Sequence, residues 1–186
     1  MRIVAGNRRG LKLDAPEGLT TRPTSERARE ALFNILAGSK YRERLIGRKV
    51  TDLFAGTGAL GLEALSRGAE SCIFVEQDPA AVAVLKKNLA RARFGESAKL
   101  LSRDALASPG TGSEFGIVFA DPPYRDGIAE GTLGAIVRNG ILAPDGIIVL
   151  QAHPKTEITI RPGLEVLDDR RYGAARFLIL AQSSDA

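Results

Sequence analysis

Three short stretches bring acids, glycines and an aromatic residue together in patterns that packing alone does not require. Residues 52–61 read DLFAGTGALG, residues 75–78 read VEQD and residues 120–124 read ADPPY. The first contains G-x-G-x-x-G as Gly56, Gly58 and Gly61, and Glu76 follows twenty residues after Gly56. Taken alone, that spacing is the dinucleotide fingerprint, in which helix-opening amides hold a pyrophosphate. Asp52 argues against it, because a carboxylate four residues before the first glycine would repel a pyrophosphate. It would welcome a ligand with a cationic amino group and a ribose but no phosphate, and S-adenosylmethionine is such a ligand. Asp52 can bond the amino group directly or through water, Gly56 and Gly58 let the backbone approach, and Glu76 can accept both ribose hydroxyls. Asp104, after the third extended run, is placed to reach the adenine amino group. Phe54, Thr57, Gln77 and Ala105 flank these residues and complete the candidate cofactor set. Either acid singly could also be an ordinary helix cap.

The elements that must hold these stretches are legible around them. From Lys49 the pattern runs strand (KVTDLFA), glycine turn (GTG), helix (ALGLEALSRG, closed by Gly68), and strand (SCIFVE). Asp78 then caps and Pro79 opens a helix over residues 79–94. AKLLSRDA and FGIVFAD read as strands three and four, joined by a loop. TLGAIVRNG reads as a helix, LAPDG as a turn and IIVLQA as a fifth strand. The tail carries two extended runs around DDRRYG, an expected antiparallel pair in which Tyr172 packs at the turn. Alternating apolar strands and helices over residues 49–150 imply a parallel, doubly wound α/β sheet, since parallel neighbours need a crossover. Ligands in such sheets lie at the carboxyl ends of the strands, and all three stretches fall there.

Composition narrows the setting. A chain of 186 residues, 44% hydrophobic and 26% charged, suits one core with a small appendage. Its single cysteine, Cys72, excludes an internal disulfide and reads as a core residue, and with one histidine, His153, no zinc cluster is expected. We expect no metal, no membrane span and a reducing, cytoplasmic setting. His153 reads as a loop residue rather than a general base. The net charge of +4 is unevenly spread, with eleven Lys/Arg against five Asp/Glu in residues 1–48 and fifteen against seventeen thereafter. RIVAGNRRGLKL reads as a basic hairpin turning at Gly6-Asn7, and its Arg2, Arg8, Arg9 and Lys12 suit a phosphate backbone. Next comes a helix from Thr24 to about Ala37, capped by Thr24 or Ser25, with Ala28, Leu32, Ile35 and Leu36 inward and Arg27 and Arg29 expected outward. Residues 1–23 are thus expected to form a hairpin and loop, and residues 24–186 the main domain.

The tetrapeptide DPPY resembles the signature of class I methyltransferases that modify exocyclic amino groups, in which an acid or amide, two prolines and an aromatic follow strand four. Its chemistry is intelligible. An exocyclic amine on a base has its lone pair delocalised into the ring and is a poor nucleophile until acceptors hold its N–H groups. The Asp121 carboxylate and the Pro122 carbonyl can supply two acceptors, while Pro122 and Pro123 fix the backbone and offer no competing N–H. Tyr124 offers a face on which the base can stack.

In order, RIVAGNRRGLKL, TRPTSERAREALFNIL, DLFAGTGALGLEALSRGA, FVEQD and DPPY span nearly the whole chain and together resemble the bacterial RsmD family. Its members methylate N2 of guanine 966 in 16S ribosomal RNA. The resemblance implies a Rossmann-like sheet of seven strands with the last antiparallel, and a basic N-terminal hairpin that contacts RNA. It makes Asp121 to Tyr124 the guanine site, and Asp52, Gly56, Gly58, Glu76 and Asp104 the cofactor site. Arg22, Pro23 and Thr24 form a characteristic segment at the mouth of the site, so Arg22, Thr24 and Arg27 join the hairpin as expected RNA contacts. Near the end of strand five such proteins commonly carry an acid where this chain has Gln151 and His153, and no role is assigned there. A substrate within a partly or fully assembled small subunit and a monomeric enzyme are expected.

Other functions use parts of the same pattern. DPPY also occurs in adenine-N6 methyltransferases of DNA, although this chain has no separate target-recognition domain. A nucleotide-dependent oxidoreductase would use G-x-G-x-x-G. A non-catalytic ribosome-assembly factor would keep the fold as a scaffold.

Overall fold

A computed structural model describes residues 1–15, 25–107, 115–125 and 127–183. A short helix pair, α1 (Glu26–Leu36) and α2 (Arg42–Leu45), leads into the alternating body. That body comprises β1 (Lys49–Leu53), α3 (Ala59–Ser66), β2 (Ser71–Glu76), α4 (Pro79–Ala92), β3 (Ala98–Ser102), β4 (Phe115–Ala120), α5 (Ile128–Arg138) and β5 (Leu142–Ala152). A hairpin, β6 (Leu164–Tyr172) and β7 (Ala175–Gln182), ends it. The strands form one sheet in the order β3-β2-β1-β4-β5-β7-β6, with β7 antiparallel to both neighbours and the other pairs parallel. This is the expected class I methyltransferase arrangement. The order reverses between β1 and β4, so a cleft must open above their carboxyl ends.

The sheet carries a core on each face. Phe33, Leu36, Leu62, Phe74, Phe119 and Phe177 fill one side, and Val75, Val118, Leu133, Ile148 and Leu180 the other. β4 is buried at every position, as a central parallel strand must be. Local signals hold as read. Ser25 caps α1 through its Oγ, Asp78 caps α4 ahead of Pro79, and Gly68 follows α3 with φ 106°. Tyr172 closes β6 with its ring 6.3 Å from that of Phe177, and Cys72 is buried in the core.

Several boundaries differ from the sequence reading. β1 ends at Leu53 rather than residue 55, because Phe54 takes a left-handed backbone at φ 60°. β3 stops at Ser102, leaving Asp104 in the loop beyond it. α5 begins at Ile128, four residues early, behind the left-handed Gly127. The expected turn at residues 142–146 is a bulge inside β5, where Phe115 faces Leu142 and Ile117 faces Ile147. Pro144 and Asp145 are pushed into solvent there.

Arg29 is the main correction. Expected outward, it is fully buried, while Phe33 rather than Ile35 completes the inward stripe of α1. Its charge is met inside, with Nη2 donating to the Arg2 carbonyl and Nε lying 3.7 Å from Oε2 of the equally buried Glu63. Desolvation pulls the Arg29 pKa down, and Glu63 opposes that shift. Glu63 also accepts from the amides of Val4 (2.8 Å) and Ala5 (3.0 Å) and from Arg67 Nε (2.7 Å). One buried carboxylate thereby ties the N-terminal segment and α1 to α3.

Candidate active site

The β1–β4 register decides the geometry of the cleft. Leu53 pairs with Ala120, so the chain leaves the two strands at the same level, into Phe54 on one side and Asp121 on the other. The Asp121 amide donates to the Leu53 carbonyl at 3.4 Å. The glycine loop and the DPPY turn are therefore neighbours at the topological switch point.

The glycine loop is built for close approach. Phe54, Gly56 and Gly58 have φ of 60°, 54° and 79°. Gly58 is the left-handed N-cap of α3, and a Cβ there would stand 2.5 Å from a Leu85 methyl. Gly61 has a different task. A Cβ on it would lie 2.4 Å from the Phe74 ring and 2.6 Å from Cys72 Sγ, so this glycine lets α3 settle onto β2. Thr57 is half-buried beside them, and its carbonyl accepts from Asn88 Nδ2 at 2.9 Å.

Asp52 lies beneath the loop. It is 1% exposed, and its Oδ2 accepts from the Gly61 amide at 2.9 Å, satisfying one of the open donors at the start of α3. The helix-cap role weighed for this acid is therefore present. Burial first, then the charges of Asp121 and Glu76, push its pKa well up, and the Gly61 bond opposes them. Glu76, at the end of β2, accepts from the Gly56 amide through Oε2 and from the Gln77 and Asp78 amides through Oε1, each at 2.8 Å. It remains partly exposed, and Gln77 is exposed next to it. Asp104 accepts from the Leu106 amide at 2.9 Å, beside buried Ala105.

Asp121 faces the cleft, and desolvation pushes its carboxyl up to about 7. Asp52, whose proton affinity the charges of Asp121 and Glu76 raise, lies behind a loop that is bare of Cβ atoms at Gly56 and Gly58, and the three acids form a site that a cation would relieve. A cationic amino acid group with a ribose fits that donor set; a pyrophosphate does not. Pro122 is buried, Pro123 exposed, and Tyr124 stands 56% exposed at the mouth.

Two residues to which no role was given hold Tyr124. Gln151 is only 3% exposed at the end of β5, and its Nε2 donates to the Tyr124 hydroxyl at 3.3 Å. The His153 ring meets the Tyr124 ring edge-on, centroids 6.0 Å apart and planes at 67°. The available signal was a polar residue ending an otherwise apolar strand, IIVLQ, next to the switch point. Tyr124 has its own pKa raised, chiefly by burial and further by Asp121, against the Gln151 bond.

The basic hairpin forms as expected, with Arg2 bridged to Lys12 and the Leu13 amide bonded to the Met1 carbonyl at 2.9 Å. It lies along α3 and α4. Ile3 and Leu13 enter the main core, and Gly6 meets Ser66 so closely that a Cβ would overlap its carbonyl oxygen at 1.8 Å. At its base, Asn88 is completely buried and accepts from the Asp14 amide at 2.8 Å while donating to the carbonyls of Asp14 and Thr57. Arg2, Arg9, Lys12 and Arg27 are exposed, and Arg2 pairs with Glu26 at 3.2 Å. Arg8 is half-buried, a different environment from its neighbours. Arg22, Pro23 and Thr24 lie outside the described residues. No helix among the described residues is long and apolar enough to cross a membrane.

Residues 1–181 match the family described as conserved hypothetical protein 95. The chain is 39% identical over 165 residues to Ribosomal RNA small subunit methyltransferase D of Escherichia coli (strain K12), covering 87% of this chain and 79% of that protein. Its identity to the Haemophilus influenzae protein of the same name is 32% over 181 residues, covering 95% and 91%. The solved structure of yhhF from Escherichia coli superposes with a TM-score of 0.83 at 36% identity, over 99% of this chain and 98% of that one.

Proposed function

The chain belongs to the conserved hypothetical protein 95 family, and from that premise we propose that it transfers a methyl group from S-adenosylmethionine to the exocyclic N2 amino group of a guanine in 16S ribosomal RNA. The family resemblance makes this guanine 966, and relatives named as small-subunit ribosomal RNA methyltransferases support the substrate class. The observation that carries the proposal is the Leu53–Ala120 register, which sets the glycine loop beside DPPY.

Glu76 and Asp104 would hold the ribose and adenine, and Gly56 and Gly58 would receive the ligand against bare backbone. Asp52 acts from below, fixing the start of α3 through the Gly61 amide. S-adenosylmethionine, when bound, supplies a methyl group made electrophilic by its sulfonium. Asp121 accepts one N–H of the target amine at its carboxylate and the Pro122 carbonyl accepts the other, which localises the nitrogen lone pair for in-line attack. With its pKa near 7, Asp121 can also take up at Oδ the proton that the methylated amine sheds. Tyr124, braced by Gln151 and His153, stacks on the unstacked base. We read the enzyme as a cytoplasmic monomer acting on RNA in a partly or fully assembled small subunit, with residues 1–23 as an RNA-binding appendage to a catalytic domain of residues 24–186.

The test separates binding from chemistry. Asp121→Ala should bind S-adenosylmethionine within a few-fold of the wild type by calorimetry, yet lose methyl transfer by at least about 10²–10³-fold, as removal of a transition-state contact does. Full activity in that variant would remove Asp121 from the mechanism.

A further inference from the structure

We propose that the RNA-binding surface continues from the hairpin onto the carboxyl-terminal half of α4, where Lys87 and Arg93 extend it toward the phosphate backbone of the same RNA. The inference rests on RNA being the substrate. Its starting point is the way the hairpin is fastened. Arg8 donates through Nε to the Ala92 carbonyl at 2.8 Å and through Nη2 to the Arg93 carbonyl at 3.4 Å, with its guanidinium 5.1 Å above the Phe94 ring. It is consumed as a rivet on the negative end of the α4 dipole rather than offered to phosphate. Arg91 completes the joint, donating to the Lys12 carbonyl at 3.0 Å and gripping both Asp14 oxygens at 2.8 and 2.9 Å.

This joint makes one surface of two elements. Residues 86–93 read KKNLARAR, four basic residues and no acid. Lys87 and Arg91 follow Asn88 around the helix on the hairpin side, and Lys87 acts electrostatically on Asp14. Arg93, left-handed at φ 52°, ends the helix in solvent. Arg91 neutralises Asp14, while Arg9, Lys12, Lys87 and Arg93 are exposed and form no salt bridge among the described residues. Along the α4 axis from Pro79, beside Glu76, Lys87 lies about 12 Å and Arg93 about 21 Å away. A run of unpaired cations there fits the polyanionic backbone of RNA flanking the base, held by charge rather than by sequence.

The experiment uses the full chain with Lys87→Gln and Arg93→Gln together, against Arg138→Gln with Arg171→Gln as a matched charge loss on α5 and β6. Binding to protein-free small-subunit ribosomal RNA is measured across a salt series. Two lost phosphate contacts should lower the slope of log K against log salt by about 1.4–1.8 and raise KM for RNA about tenfold at moderate salt. The value of kcat at saturating RNA should not move, and the melting temperature should match the wild type. Lys87→Arg with Arg93→Lys, which keeps both charges, should keep the slope. A slope equal to that of the control pair would make α4 an ordinary solvated face and overturn the proposal. So would a loss confined to assembled subunits, which would point to a ribosomal protein instead. Methyl transfer by the wild type is scored separately. Transfer with an unaltered slope sinks only the α4 surface, and an altered slope without transfer sinks only the enzymatic reading.

Discussion

Replacing Asp121 by Asn removes a charge while keeping shape and one acceptor oxygen, and its effect on stability should depend on pH in a defined way. The folded state holds the Asp121 carboxyl at about 7 against an ordinary 3.8. Because the native pKa is raised, the folded protein keeps this proton to higher pH than the unfolded chain does. Wild-type stability therefore falls as pH rises from about 4 through 7 on this account, and the cost is complete above 7. At 1.36 kcal/mol for each factor of ten, the full cost is up to about 4 kcal/mol. Urea unfolding should find Asp121→Asn and the wild type equally stable near pH 4. Near pH 8 the variant should be more stable, by as much as that amount. The methyl-transfer rate supplies a second reading, because the amide still accepts an N–H bond but no longer titrates. The wild-type rate should fall below a midpoint near 7, and Asp121→Asn should lose that acid limb whatever activity it retains. A stability gain that is absent, or identical at both pH values, would refute the desolvated carboxylate.

Three other perturbations test the surrounding structure. Gly61→Ala forces α3 away from Phe74 and Cys72 and should cost about 1–3 kcal/mol in thermal unfolding while weakening cofactor affinity through the Asp52 bond. Tyr124→Phe keeps the stacking face and should retain most of kcat, whereas Tyr124→Ala should lose about ten- to a hundredfold, the value of one stacked base. Equal losses would mean the hydroxyl, not the ring, matters. Arg29→Met leaves buried Glu63 short of a cation and should cost about 3–5 kcal/mol, part of it recovered by adding Glu63→Gln. An Arg29→Met protein as stable as the wild type would make the pair dispensable.

Much of this molecule can be read from residue order, for reasons that also mark where reading stops. Parallel strands need crossovers, so the alternation over residues 49–150 dictates the sheet, and the β7 reversal follows from the short turn at Gly173. The three chemical stretches end strands, which sends them to one edge. Pairing order is tertiary, however, and only the Leu53–Ala120 register shows that two of the stretches are direct neighbours. Arg29 was misplaced because periodicity assigns a charged side chain to solvent, and the compensating Glu63 comes from a helix 34 residues away in sequence. Nothing local reveals that the half-buried Arg8 bonds the end of α4. The backbone partners of Asp52 and Glu76, and the bracing of Tyr124 by Gln151 and His153, arise only once loops from separate strands meet.

Methyl transfer to small ribosomal subunits lacking the native modification tests the central claim most directly. The protein is incubated with them and S-adenosylmethionine, and the digested RNA is analysed by mass spectrometry. N2-methylguanosine formed in stoichiometric amount, and absent with Asp121→Ala, is the expected result. A bound cofactor with no methylated nucleoside, or methyl groups found on adenine instead, would contradict the account.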